Sequence, residues 1–435
     1  MKAIRLGALA MGSVLAFSAC SSAATPSPSA SGSAAPSSAA SGGGLAVKIG
    51  IELPMSGGEA PNGVPAANGV ALALSQIQVP GFTITINQQD DAVNGVHNAN
   101  QGAKNMQTLA NDPSTLFVVG PYNSNVAQAE IPVSNAAGLM QCSPANTAVS
   151  LTKGAAAVAL RATNPSQIAY VRVATTDDNQ GAGGADIAYN LVGAHSAYVL
   201  DDTQTYGVGL VAGFTAAFKA LGGTIVGSAS PPDTTTDFTS YVTTIQGLNP
   251  PYVFFGGVTT SGLGLFRKQM AQQGIANIPF GGGDGISDGS AATTSTFLNI
   301  AGPAGDVSTY STVAAIHDIP NPTAFSSAYK AMFNTDPGGY SAPAYACAQV
   351  FLQALKAVGT GVTDLATLRS KIRAYVADPA NKYDTVLGTV GFDANGDTTQ
   401  HTISYYKFDP TTKDWAFVKQ RDFVADPIPG LATTP

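Results

Sequence analysis

The stretch LFVVGPYNSNVAQAEIPVSNAAGLMQCSPANT, residues Leu116–Thr147, reads as strand, loop, helix, strand, loop. An apolar run, Leu116–Val119, stops at Gly120, and the small polar loop Tyr122–Asn125 opens a helix-like segment. A second apolar run, Gly138–Met140, stops at Ser143-Pro-Ala-Asn-Thr147. In an open parallel sheet both loops fall at the carboxyl ends of strands, where such sheets bind ligands. Free N–H groups at a helix start favour an anion there. Ser124 and Thr147 add hydroxyls, although either residue type is also an ordinary helix N-cap.

Outward from this stretch the alternation continues. Val47–Ile51 and Phe82–Ile86 carry strand-like apolar patterns, and Ala66–Ile77 and His97–Asn111 are helix-compatible. The order βαβαβαβ predicts a doubly wound parallel sheet. Val149–Ser166 reads as a surface excursion, and Ile168–Val173 as a strand leading to Asp177. A second alternation follows, with strands at Ser196–Leu200, Gly223–Val226, Tyr252–Phe255 and Ile278–Phe280 separated by helical segments. Three helices are expected next, at Pro322–Phe333, Ala344–Val358 and Leu365–Val376. Gly388–Phe392 and Thr402–Phe408 read as strands with Asn395-Gly396 as the turn between them. The fold class is α/β, two Rossmann-like doubly wound lobes joined by a hinge. The expected division is residues 45–176 with 310–400 in the N-terminal lobe, 177–309 with 401–427 in the C-terminal lobe, and a tail over 428–435.

At 435 residues the chain has room for about two domains. Only 11% of residues are charged, against a typical ~25%, and no basic stripe is present, which argues against a nucleic-acid partner. Lys2 and Arg5 precede a short apolar run, Leu6–Phe17, which reads as a signal peptide over residues 1–19. Removing that segment leaves 18 of the 20 basic residues against 27 acidic ones, a net charge of −9. Residues 21–44 are almost wholly Ser, Ala, Pro, Gly and Thr and are expected to form a flexible tether. Leu15-Ala-Phe-Ser-Ala-Cys20 resembles a bacterial lipoprotein box, with Phe17 as a departure, which implies cleavage before Cys20 and a lipid on its sulfur.

From Val47 to about Val424 the chain resembles the leucine/isoleucine/valine-binding family of solute-binding proteins, type I periplasmic-binding-protein folds that serve ABC importers. The resemblance is carried by a series in family order: Lys48-Ile-Gly50, Pro54-Met-Ser-Gly57, Asp90-Asp91, Val118-Val-Gly120 with Ser124, Ser143–Thr147, Asp177 with Gln180, Asp201-Asp202 with Tyr206, Phe254–Gly257, Gly283-Asp-Gly285, Ser341–Gln349 and Gly391–Asp397. It implies a cleft between lobes closing on a small ligand, usually an amino acid. Ser124 matches a serine that bonds the ligand carboxylate. Ala145 and Thr147, flanking Asn146, match groups that hold carboxylate and ammonium. Asp284 matches an acid for the ammonium, and Tyr206 an aromatic wall from the second lobe. Asn62, Asn123 and Val258 depart from the family pattern and bear on specificity, and Tyr122 and Tyr340 are candidate walls.

The resemblance implies an extracytoplasmic, lipid-anchored monomer that binds an amino acid or related polar solute and delivers it to a permease. A sensing module coupled to a receptor is the alternative. No cofactor, metal site or enzymatic chemistry is expected. The four histidines, His97, His195, His317 and His401, lack metal-ligand spacing, and no GxSxG elbow occurs. Gly207-Val-Gly209-Leu-Val-Ala-Gly213 misses the dinucleotide fingerprint by one residue and lacks the later acid. Cys142 and Cys347 either form a disulfide, which an exported location permits, or remain two buried thiols. Ligand identity stays open, as does the open or closed state.

Overall fold

The computed structural model describes residues 44–431. The signal peptide, Cys20 and the tether up to residue 43 lie outside the described residues. The first sheet contains β1 (Leu45–Leu53), β2 (Phe82–Asp90), β5 (Thr115–Val119), β6 (Met140–Ser143) and β7 (Tyr170–Arg172), with a small hairpin of β3 (Ala92–Val93) and β4 (Val96–His97) beyond β2. Its order is β2-β1-β5-β6-β7, parallel throughout. β5 is buried at every position, as a central parallel strand covered on both faces must be. Helices α1 (Ala60–Gln76), α2 (Ala99–Asn111), α3 (Ser124–Ala137) and the short α4 (Gly154–Leu160) alternate with these strands.

After β7 the chain crosses to a second lobe through α5 (Asp177–Asp186), which packs on α6 (Thr205–Ala220). Its strands are β8 (Ser196–Asp201), β9 (Thr224–Ala229), β10 (Val253–Gly256), β11 (Phe280–Gly282) and β12 (Thr309–Val313), with α7 (Thr239–Leu248), α8 (Leu263–Gln272) and α9 (Phe297–Asp306) between them. The chain then returns to the first lobe for α10 (Pro322–Phe333), α11 (Ser341–Val358), α12 (Leu365–Val376) and the hairpin β13 (Lys382–Thr385) with β14 (Gly388–Gly391). A last crossing delivers β15 (Thr402–Asp409) and β16 (Asp414–Asp422) to the second sheet. That sheet runs β16-β15-β12-β11-β10-β8-β9, with β15 and β16 antiparallel at its edge. Both lobes therefore share the 2-1-3-4-5 parallel order, whose switch point places a crevice at the strand carboxyl ends.

Each lobe is built on its own packed core. In the first, α11 is buried on most of its surface and lies against α1 so closely that a Cβ on Gly69 would stand 2.1 Å from the Ser341 carbonyl oxygen. A disulfide between Cys142 of β6 and Cys347 of α11, with Cα atoms 5.7 Å apart, ties sheet to helix. In the second, Phe214 of α6 stacks on Phe254 of β10 with ring centroids 4.1 Å apart, an arrangement that adds to the area both rings bury.

Three readings of the sequence are corrected here. The return crossing follows Val313, not residue 309, because β12 adds to the second sheet; its sequence, Thr-Tyr-Ser-Thr-Val, is too hydroxyl-rich for an apolar pattern to reveal. Gly388–Gly391 pairs with Lys382–Thr385 rather than with β15. The Asn395-Gly396 turn exists, but it closes only the single bridge Phe392–Thr398, held by the Asp393 carboxylate accepting from the backbone N–H of Asn395 and Asp397. The strand expected over Ile278–Phe280 starts at Phe280, the Pro279 carbonyl accepting from Val253. β13 and β16 were not legible as strands.

Candidate functional site

The loops at the strand carboxyl ends of the two sheets meet in a cleft of about 280 Å³. Tyr122, Asn123 and Ser124 come from the end of β5 and the start of α3, and Ala145 and Thr147 from the loop after β6. The opposite wall is Tyr206 at the start of α6, Val258 after β10, and Asp284 and Gly285 after β11. Eight of the ten ligand contacts expected from the sequence thus share one cavity. Asn146 does not line it: its amide donates to the Tyr122 carbonyl at 2.7 Å and accepts from the Tyr170 hydroxyl at 3.0 Å, which fixes one loop against the other. Asn62, half-buried in the first turn of α1, lies outside the lining as well. A wider cavity of about 1270 Å³ lies against the lobe crossings, with Asn179, Asp393, Thr398 and His401 on its wall. None of the expected site residues lines it.

The loop after β6 is built by one serine and one arginine. Ser143 donates to the Pro121 carbonyl at 2.7 Å and accepts from the backbone N–H of Asn146 at 2.9 Å and of Ala145 at 3.2 Å. Arg172, fully buried at the end of β7, donates to the carbonyls of Ala148 at 2.8 Å and Asn146 at 3.4 Å and to the Thr152 hydroxyl at 2.6 Å. Its Nε is 2.7 Å from Asp397, beside the last crossing. That guanidinium holds the Asp397 carboxyl below the usual carboxylate range despite burial. Asp177, at the first crossing, is pushed well above its ordinary value by burial, with the Thr147 hydroxyl opposing.

Donors and acceptors are divided across the cleft. On the first-lobe side, Ser124 and Thr147 offer hydroxyls, Asn123 is the N-cap of α3 without a side-chain cap bond, and its Oδ1 is buried with no partner. The Ser124 hydroxyl accepts only a long 3.4 Å bond from the Ala148 N–H. On the other side stands Asp284, whose carboxylate accepts from the Tyr206 hydroxyl at 2.5 Å, the Gln180 amide at 2.8 Å and the Tyr340 hydroxyl. Tyr340 caps α11 of the first lobe, so this bond spans the cleft, and Tyr122 meets it edge-on at 5.3 Å. A Cβ on Gly283 would stand 2.1 Å from the Tyr206 oxygen, so only glycine lets that hydroxyl reach the acid. Burial raises the Asp284 carboxyl, opposed by Tyr206, Tyr340 and Gln180. Burial and the adjacent acid lift the hydroxyls of Tyr206 and Tyr340 far above their ordinary value, keeping both as donors. Among the described residues no Lys, Arg or His lines the cavity. The site can hold a carboxylate by N–H and O–H groups at one end and a cationic or hydroxyl donor at the other.

Residues 46–413 match the model of a periplasmic binding protein. The chain belongs to the periplasmic binding protein family. Among its relatives, the Leu/Ile/Val-binding protein BraC3 of Rhizobium johnstonii is 26% identical over 83% of this chain and 92% of its own length. A leucine-binding protein from Thermotoga maritima superposes with a TM-score of 0.71 at 22% identity, over 86% of this chain and 99% of that one. A solute-binding protein from R. palustris, solved in complex with 4-hydroxybenzoate, gives 0.70 at 19% identity, over 87% and 96%. These are solute-binding proteins rather than enzymes, and the fold they share is the type I periplasmic binding fold with two lobes. The family works outside the cytoplasm, and no helix among the described residues is long and apolar enough to cross a membrane. Gln180 and Gly285 stood in the sequence only as landmarks of the resemblance; the structure adds Gly285 to the cavity lining and brings Gln180, one turn into α5, to Asp284 across 104 positions of sequence.

Proposed function

We propose that this chain is the lipid-anchored solute receptor of an ABC importer, closing its lobes on a small carboxylate, foremost an amino acid, and delivering it to a permease. The observation that carries the reading is the division of the cleft. Ser124, Thr147 and the start of α3 suit a carboxylate, and Asp284, with no cation beside it in the lining, suits an ammonium. A buried carboxylate is costly unless it gains a counter-charge. The lipoprotein-like sequence at Cys20 and the tether behind it support anchorage at the outer face of the membrane. Residues 45–176 with 314–400 would form one moving body and 177–313 with 401–427 the other.

A second reading is favoured by Tyr122 and Tyr206, which line the site, and by Tyr340, whose hydroxyl bonds Asp284 and whose ring meets Tyr122 edge-on. An aromatic carboxylate bearing a para-hydroxyl would stack there and donate to Asp284. Two relatives in fold were solved with 4-hydroxybenzoate and 3,4-dihydroxybenzoic acid. Thermal-shift screening of the purified protein against amino acids and hydroxybenzoates separates the readings, since a ligand at a hundredfold excess over its Kd adds ~2.7 kcal/mol to apparent stability. Shifts confined to amino acids support the first reading; shifts confined to hydroxybenzoates support the second.

A further inference from the structure

A second bridge joins the lobes on the rim of the cleft, formed by residues that do not themselves line it. Glu59, which closes the turn after β1, is 2% exposed, and its Oε1 accepts from the His97 Nδ1 at 2.9 Å. The same oxygen accepts from the Thr260 hydroxyl at 2.5 Å. Glu59 and His97 belong to the first lobe, and Thr260 follows β10 of the second. The surfaces are in contact here: a Cβ on Gly58 would stand 3.0 Å from the Thr260 methyl carbon. His97 lies on the β3–β4 hairpin, whose Gly95 carbonyl accepts from the Gly58 N–H at 3.0 Å and sets the turn that presents Glu59.

We propose that His97, Glu59 and Thr260 form a proton-controlled interlobe latch, His97 acting as a positioning residue that holds the lobes closed over ligand while its ring is charged. The inference rests on the two-lobe binding reading above. The charges around the ring are Glu59 on its own lobe and Asp202 and Asp233 on the other. Glu59 itself faces Asp91, Asp288 and Tyr122. The ring is buried, which disfavours its charge, yet those three acids more than offset this, and its pKa is raised. Glu59 is correspondingly lowered by His97 and Thr260 in spite of burial, so both partners point to an ion pair. Opening the lobes takes Asp202 and Asp233 away from the ring, which lowers its proton affinity, and rehydrates it, which raises that affinity; the latch requires the loss of the two acids to be the larger effect. Closure then takes up a proton. It is favoured below the closed-form pKa of His97 and weakens as pH rises through that value. Asp202, pushed up to about 6, and Asp288, pushed up to about 7, both by burial, also titrate near neutral pH, so the ring's share is read from the difference between wild type and His97→Gln.

The rest of the closed rim is uncharged at its contacts. Asn125 donates to Gln204 at 2.8 Å and the Thr205 hydroxyl to Gln128 at 2.8 Å. His97 is the only group here whose ordinary pKa lies at neutral pH.

The test uses two readouts on the intact protein from pH 6 to pH 8.5. The first is calorimetric affinity with L-leucine and with 4-hydroxybenzoate as probes. The second is hydrogen exchange of the amides in residues 57–60 and 259–262 without ligand, corrected for intrinsic rates. Wild type should lose affinity as pH rises, by about tenfold for each pKa unit separating open and closed forms, and rim protection should fall in parallel. His97→Gln keeps a donor to Glu59 and should flatten both profiles. Thr260→Val, which leaves the first lobe intact, should weaken closure at every pH while keeping the slope. Equal slopes in wild type and His97→Gln overturn the latch, as does pH-independent rim protection. If neither probe binds, the ligand reading fails for those classes, and the hydrogen-exchange arm still decides the latch.

Discussion

Arg172→Met replaces the one guanidinium that joins the ligand loop to a lobe crossing. The side chain is fully buried, and four hydrogen bonds end on it: Asp397 at 2.7 Å, the Thr152 hydroxyl at 2.6 Å, and the carbonyls of Ala148 at 2.8 Å and Asn146 at 3.4 Å. Methionine fills much of the same volume but leaves the buried Asp397 carboxylate with the Thr152 hydroxyl and with Lys153 at 3.7 Å, and no direct ion pair at short range. Breaking a buried pair from one side costs roughly 3–5 kcal/mol. At ~2–4 °C per kcal/mol for a lobe of this size, Tm should fall by about 6–20 °C. Affinity should fall too, because Ala145 and Thr147 are held in register by the carbonyls that Arg172 anchors. Removing both charges in Arg172→Met/Asp397→Leu should recover at least half of the lost stability, since no uncompensated charge remains. The recovery should not extend to affinity, as the loop stays unanchored. Calorimetric melting together with ligand titration gives both numbers. A Tm within about 2 °C of wild type for the single variant, at about 1 kcal/mol or less, would refute the reasoning, as would a double variant less stable than either single one.

Three other perturbations follow from the same geometry. Asp284→Asn should leave the ligand-free protein as stable or more so, because its burial opposes the charge. It should cost an amino-acid ligand ~1.5–3 kcal/mol, the range for hydrogen bonds to charged groups, while a benzoate without an amine loses little; titration calorimetry with both separates the cases. Cys142→Ser/Cys347→Ser should lower denaturant stability by roughly 2–5 kcal/mol and steepen the denaturant slope, since the bond closes a loop of 205 residues between sheet and helix and its loss lets the unfolded chain expand. Asp288 is pushed up to about 7 by burial, so the folded state binds its proton more tightly than the unfolded chain. Its contribution is complete at acid pH and is lost as pH rises from about 4 through about 7. Asp288→Asn should flatten that fall in a urea-stability series across pH.

Much of the fold could be read from the sequence because parallel strands buried on both faces leave continuous apolar runs. Leu116–Val119 and Tyr252–Phe255 are such runs, each closed by glycine. What escaped was of two kinds. β12 and β13 carry hydroxyl and charged side chains and earn their place by pairing: β12 bridges β11 and β15, so its partners lie far off in sequence. Their propensity gives no warning of this. The site's first half was legible because Ser124 and Ala145–Thr147 sit within one short stretch at predictable strand ends. Its other half was visible only as isolated residues. Asp284 meets Gln180 and Tyr340 over separations of 104 and 56 positions, and Arg172 meets Asp397 over 225. Asn62 lies outside the lining: α1 begins at Ala60, ahead of the Ala66 expected, and takes residue 62 into its first turn. Two prolines masked that helix: Pro61, which the first turn tolerates because its N–H groups have no intrahelical acceptor, and Pro65, which lies inside the helix and forgoes one backbone bond.

Ser124 and Thr147 are expected to bind the carboxylate of a small ligand facing Asp284. Isothermal titration of the protein with the best amino acid or hydroxybenzoate from the thermal screen, repeated on Ser124→Ala/Thr147→Ala, tests it directly. Saturable one-to-one binding that weakens about a hundredfold or more in the double variant, roughly 3 kcal/mol for two charge-assisted hydrogen bonds, is the predicted result. Equal affinity in the two proteins would contradict the account and move the ligand elsewhere in the molecule.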